Sequence, residues 1–453
     1  METAISPVVI FCLAFVITLV FCASACAAAW PVAHPVTELG GEEADLRKRV
    51  APIENLDDAE LRARYEDQAS VLRASYPRTV GAAIGLWEAT GDEAYRDLAV
   101  RACTAALGDL AAADDDDLRS RVSRLGVQDD RNVRMRDAAH LFALLYRATG
   151  EKPYARGAAV VLARFAEQLP HWPIYVPHIG PWEDRTRYTQ DEIVNRTEWD
   201  TAGFWGVWIY QDILGGVLLL DAYDLIYNAG VMQETGVLES VERMLHAHTD
   251  LQFGYGRRFT NMDPTQMRGI LTFAQVLGQP EWVHGCVQWI VDIYKTQYYA
   301  DGWWHEGTPS YHKQAHHGFK GVADRYLTGY SDPEWFVSEQ DGTRFDDLDM
   351  DQMLARPFAR AQHALDAVQQ PNRICQVIHD TTFPQPVWWT PPMEAATSYL
   401  FGCTGHAILG TGTGEGNMVQ ATLHYGGTHG HEHLDCLNLI LFAKGRELLS
   451  ETR

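Results

Sequence analysis

Positive charge is scarce in this chain. Lys and Arg number 37 against 60 Asp and Glu over 453 residues, a formal net charge of −23. Binding phosphates calls for a basic surface, so the balance excludes nucleic acid as a partner. The excess acid reads as a solubilising surface, and the Asp114–Asp117 run as a solvated loop. Cysteine is sparse as well. Of the 8 present, Cys12, Cys22 and Cys26 lie near the N-terminus. Cys103, Cys286, Cys375, Cys403 and Cys436 are scattered and odd in number, which excludes a disulfide framework, and no CxxC metal spacing occurs. Most of them read as small buried apolar residues.

The N-terminus has no charged n-region, since Glu2 is acidic. Its apolar stretch from Pro7 to Ala29 ends in Ala27-Ala28-Ala29 before Trp30, which fits a signal-peptidase site. Residues 1–29 are therefore expected to be a leader that sends the protein to the periplasm or outside the cell. Two alternatives stay open. The stretch is long enough to remain as a membrane anchor, the one expected route to a membrane. Cys26 after Ala23-Ser24-Ala25 is a weak lipoprotein-like site.

What the chain does have is a repeat. "LWEATGDEAY" (Leu86–Tyr95) returns as "LYRATGEKPY" (Leu145–Tyr154), with a looser copy in Val276–Trp282 and a candidate fourth in Leu327–Trp335. Each copy ends an amphipathic run at Gly and opens another at an acid, a Pro or an aromatic. Gly suits the left-handed residue that closes a helix, and acids and Pro suit a helix start. The pattern predicts about five antiparallel helical hairpins between residues 50 and 370, stacked as an open solenoid or a closed (α/α) toroid. Beyond residue 371 the composition turns to Pro and β-branched residues, then to short β-favouring runs between Gly clusters, with "AKGRE" as a tight hairpin turn. The expected fold class is α+β and multidomain: a helical domain at 30–370, then the first strands of a sheet at 371–453. So few strands make a poor independent sheet, so that domain is expected to be incomplete.

Two stretches carry candidate chemistry. In "THGHEHLDCLNLILF", His429, His431, His433 and Asp435 alternate, and on a strand that spacing directs all four to one face. Such a face is costly to desolvate unless something uses it, a metal above all. The other stretch, "DGWWHEGTPSYHKQAHHGF" (Asp301–Phe319), puts Tyr311 at a loop-to-helix transition among Trp303, Trp304 and His312. A phenol of reference pKa about 10 acts as a base only beside positive charge or a metal-bound neighbour, but donates a proton without help.

"DGWWHEGTPSYH" followed about 120 residues later by "HGHEHLDCLNLILFAKGRELLSE" resembles the heparinase II/III-like polysaccharide lyases, a group that includes alginate lyases. The resemblance covers roughly residues 195–453. It implies an (α/α) toroid joined to an antiparallel β-sandwich, cleavage of uronic-acid polysaccharides by β-elimination, and a zinc in the sandwich. By the match, Tyr311 and His431 are catalytic, His433 is a zinc ligand, and Glu451 is a candidate second ligand, with a further histidine ligand expected beyond residue 453. Family members often carry an Asn-His pair on the toroid, the Asn neutralising the substrate carboxylate and the His acting as base. Here the corresponding residues are Asn261 and Met262. Asn261 can still donate a hydrogen bond, but Met262 takes no proton, so the base would be Tyr311 or His431, or the activity is altered or lost.

The expected function is thus a lyase acting on an acidic polysaccharide or oligosaccharide. Arg257 and Arg258 would add charge beside Asn261, and Trp199, Trp205, Trp208, Trp303, Trp304 and His312 would contact sugar. Two other readings stay open. A glycoside hydrolase on an (α/α) toroid would use carboxylates among Glu198, Asp200, Asp301 and Glu306. A secreted carbohydrate-binding protein would have lost catalysis with the histidine at 262.

Overall fold

A computed structural model describes residues 33–450 apart from 38, 69–74, 173, 176–186, 189–202, 206–208, 255–258, 341, 382–384, 415 and 428–436. The leader at 1–29 lies outside the described residues. Two short helices, α1 (Glu43–Val50) and α2 (Asp58–Gln68), precede five hairpins. These pair α3 (Ser75–Thr90) with α4 (Glu93–Leu107), α5 (Asp130–Thr149) with α6 (Lys152–Gln168), and α7 (Ile209–Ile226) with α8 (Leu238–Gly254). The last two pair α9 (Asp263–Leu277) with α10 (Pro280–Thr296) and α11 (Pro309–Val322) with α12 (Ala355–Ala367). Helices α3, α5, α7, α9 and α11 pack on one another in succession as an inner row, and their partners flank them. The inner row is correspondingly apolar on most faces: α5 is buried almost throughout from Val133 to Ala148.

Three of the repeat copies make hairpin corners. After α3, Gly91 takes φ +70° and the Asp92 carboxylate caps α4 by accepting from the Ala94 N–H. After α5, Gly150 is left-handed and α6 opens with a Pro in its first turn. Gly278 and Pro280 do the same between α9 and α10. The fourth copy behaves differently. Gly329 turns at φ +85°, but the chain stays irregular as far as a short helix at Met350–Met353. The reason is Asp332. Instead of capping a helix, its buried carboxylate accepts from the Phe345 N–H (2.6 Å) and the Tyr330 hydroxyl (2.8 Å) and pairs with His284 Nε2 (2.8 Å). The Asp114–Asp117 run is also structured: Asp114 caps a helix at Asp115–Ser120, whose first-turn acids face the positive end of its dipole.

A two-residue ribbon pairs β1 (Ile174–Tyr175) with β2 (Arg187–Tyr188). The C-terminal sheet is antiparallel in the order β3 (Tyr399–Phe401), β4 (His406–Thr411), β5 (Val419–His424), β6 (Asn438–Ala443), β7 (Arg446–Leu449). Between β6 and β7 the predicted turn has Lys444 and Gly445 both at positive φ, the geometry of a two-residue hairpin. Register pairs Ile408 with Thr422 and Thr422 with Ile440 on the inner face. The outer face shows Leu400, Leu409, Leu439 and Leu449, all exposed, an apolar layer of the kind a second sheet covers in a sandwich.

The helical part and the sheet meet through a small core of Trp303, Leu365, Val368, Cys375, Val387, Phe401 and Ile408. Burying one indole of this size contributes about 4–6 kcal/mol before entropy is counted. A polar latch adds direction. The Asp301 carboxylate accepts from the Cys403 N–H (2.8 Å), the Thr404 N–H (3.0 Å) and the Thr404 hydroxyl (3.2 Å). Next to it, Gly302 sits at φ +96°, where a Cβ would meet the Arg360 carbonyl oxygen at 2.3 Å, so only glycine lets these segments close.

Candidate functional site

The first turn of α11 lies at this junction. Gly307 (φ +67°) turns the chain, and Pro309 opens the helix with its φ already set. Two residues on, Tyr311 is half-buried at the edge of the core shared by α9–α12. The segment Ile378–Thr381 lies across the same turn: the Ser310 N–H donates to Thr381 Oγ1 (3.1 Å) and the Ser310 hydroxyl to the Asp380 carbonyl (3.3 Å). Burial first, then the charges of Asp380 and Glu306, raise the Tyr311 phenol above its ordinary value. A tyrosine base needs positive charge nearby, and the described neighbours that shift this phenol are carboxylates. That direction suits Tyr311 to giving a proton rather than taking one.

Four residues expected to touch sugar, Trp205, Trp303, Trp304 and His312, do not reach solvent. Trp303 and Trp304 are completely buried, Trp303 in the junction core and Trp304 in the core of the last hairpins. Trp205, also a stacking candidate, is buried too. His312 is a strut: its Nδ1 accepts from the Trp304 N–H (3.0 Å) and its Nε2 donates to the Ala361 carbonyl (2.9 Å), tying α11 to the turn before it and to α12. The physical reason is spacing. The apolar face of α11 runs through Pro309, His312, Ala315, His316 and Phe319, so His312 points inward while Tyr311 falls on its margin.

Asn261 lies half-buried in the turn that leads into α9. The turn is held by Asp263, whose carboxylate accepts from Thr260 Oγ1 (2.7 Å) and Trp289 Nε1 (2.9 Å) and is pushed up to about 6 by burial. Gln314 Nε2 donates to Met262 Sδ (3.0 Å). Gln314 follows Tyr311 by about one helical turn, so this contact ties the Met262 turn to the same stretch of α11. Asp301, offered as a hydrolytic carboxylate, is committed to the latch described above, and Glu306 accepts from Trp304 Nε1 (2.6 Å). Trp199, Trp208, Arg257, Arg258, Glu198, Asp200, His431, His433 and Glu451 lie outside the described residues. Among those described, no group of three or more His, Cys, Asp or Glu side chains is arranged to hold a metal.

Sequence reasoning missed a chain of three buried imidazoles. His379 Nε2 meets His424 Nε2 at 2.8 Å, His424 Nδ1 meets His406 Nδ1 at 2.9 Å, and His406 Nε2 donates to the Gly307 carbonyl at 2.9 Å. A carbonyl only accepts, so in the neutral chain each proton is assigned: His406 on Nε2, His424 on Nδ1 and His379 on Nε2. Both ends touch the frame of Tyr311, one at the Gly307 turn and the other beside Asp380. No spacing announces this. His406 and His424 are ordinary inward positions of two strands, and His379 comes from a loop residue at φ +52°.

No protein-family model and no curated protein matches the sequence. Solved structures do. A heparan sulfate lyase HepC mutant from Pedobacter heparinus is 16% identical over 80% of this chain and 62% of that one, with a TM-score of 0.44. A heparinase III with methylated lysines is 12% identical over 81% of this chain and 64% of that one, with a TM-score of 0.46. This chain spans less than two thirds of the length of either protein. This chain's own described fold is mostly helical with a small antiparallel sheet at the C-terminal end.

Proposed function

We propose that the protein is a polysaccharide lyase that cleaves a uronate-containing chain by β-elimination. One observation supports this most: a phenol, Tyr311, sits half-buried at the seam between helices and sheet, on the helix that Gln314 ties to the Asn261–Met262 turn. In the proposed reaction a base removes the C5 proton next to the carboxylate. The C5 electron pair forms the C4–C5 double bond, the C4–O bond breaks, and Tyr311 gives its proton to the departing oxygen. Asn261 donates to the uronate carboxylate as it gains charge, with Arg257 and Arg258 beside it in sequence. The base in this reading is His431. The expected zinc falls to His433 and Glu451, and no step passes through it. Export through the 1–29 leader belongs to the same proposal.

Tyr311→Phe tests it, because the ring and its packing stay and only the hydroxyl goes. The expected result is a loss of about 10²–10⁴-fold in the rate at which ultraviolet-absorbing unsaturated product appears, with substrate binding retained. An unchanged rate refutes the assignment. Sugar release without that absorbance would establish hydrolysis instead, and binding without turnover by the unmodified protein would leave a carbohydrate-binding protein.

A further inference from the structure

The charges around Tyr311 pose a problem for an acidic substrate. Glu306 and Asp380 are both close enough to shift its phenol, so a second uronate carboxylate is repelled there. The opposite flank of α11 differs. Lys313 and His317, one turn apart on one face, look onto the Gln385–Trp389 segment. Lys313 Nζ donates to Gln385 Oε1 and lies 5.2 Å from the centre of the Trp389 ring. Among the described residues no carboxylate pairs with this ammonium, although the protein carries 60 acids. Trp388 is 70% exposed, its ring 5.4 Å from that of His317 and 5.8 Å from that of Trp389.

The exposed indole is also held firmly. Val387, next to it, is buried and donates its N–H to the Arg373 carbonyl (2.8 Å). Arg373 Nη2 donates in return to the carbonyls of Val387 (2.7 Å) and Thr390 (3.2 Å), bracketing the two tryptophans. A flat apolar ring presented to water on a pinned backbone, with a half-buried imidazole and a cation that no described carboxylate pairs beside it, suits a sugar ring that bears a carboxylate. The indole takes the C–H face, Lys313 the charge, and His317 a hydroxyl. Along the axis of α11, His317 is about 9 Å from Tyr311, within the span of one oligosaccharide.

We infer that Trp388, Lys313 and His317 form a subsite for an acidic sugar unit remote from the cleaved bond, an inference that rests on the lyase reading for its substrate. The test is calorimetric binding by the full chain carrying Tyr311→Phe, so that turnover does not intervene. The probes are a heparan sulfate hexasaccharide, an alginate hexasaccharide and neutral cellohexaose. Adding Trp388→Ala is expected to weaken at least one acidic probe about five- to tenfold with an unchanged melting temperature. Adding Lys313→Met is expected to weaken the same probe and flatten its salt dependence. Unchanged affinity in both variants overturns the inference, as does binding of cellohexaose equal to that of the acidic probes. Affinity lost only together with melting temperature overturns it too, by making Trp388 a packing residue. Catalysis is scored separately: a protein that yields no unsaturated product yet loses acidic-probe binding with Trp388→Ala keeps the subsite and loses the lyase reading.

Discussion

The His312 strut predicts how the Tyr311 helix responds to acid. Burial, the largest cause, lowers its imidazole from 6.5 to about 4. The sign follows from linkage. Below about 6.5 the unfolded chain binds a proton here, while the folded chain does not until about pH 4. The stabilisation is therefore complete above pH 6.5 and is lost as pH falls toward 4, amounting to about 3 kcal/mol. The geometry explains the resistance, because a proton on Nδ1 would confront the Trp304 N–H that this nitrogen now accepts. His312→Gln preserves one acceptor and one donor but does not titrate. At pH 7 the variant is expected to be less stable by about 1–2 kcal/mol through imperfect hydrogen bonds. On acidification the gap should close and then reverse, since the variant loses nothing at this site. Urea unfolding of both proteins at several pH values between about 7 and 4 measures the two profiles. Parallel profiles would refute the reasoning, because they would mean that His312 takes up its proton equally in both states.

Two further outcomes follow from the junction. Asp301→Asn keeps shape but removes the charge from three hydrogen bonds to the 403–404 turn; it should raise amide exchange in the sheet from Tyr399 to His424 while α3–α8 stay protected, and uniform protection would show that the latch is dispensable. His424→Leu removes one hydrogen bond from His379 and one from His406 at once, and losing two buried hydrogen bonds should cost about 2–5 kcal/mol. A melting temperature within a degree of the parent's would count against the imidazole chain.

The helical hairpins were legible because their signals are local. Gly91, Gly150 and Gly278 must adopt positive φ to close a helix, and an acid or Pro must follow to open the next, so five or six adjacent residues suffice. The fourth copy carries the same letters, yet Asp332 found partners in His284 and Phe345, far away in sequence, and these overruled the cap. Tyr311 became a candidate through a short motif, for the same local reason. The side chains around it were not, since a tryptophan or histidine in a motif looks alike whether it faces solvent or core.

From sequence alone came the repeat, the change from helices to strands near residue 371, the Lys444–Gly445 turn and the candidacy of Tyr311. Each depends on residues close enough along the chain to impose their own backbone geometry. Tertiary structure decided which face each aromatic shows. It buried Trp303 and Trp304, left Trp388 in water, set carboxylates beside the Tyr311 phenol, and threaded His379, His424 and His406 into one line. Burial and charge depend on what arrives from elsewhere in the fold, and they govern whether a polar group supports the protein or acts on something outside it.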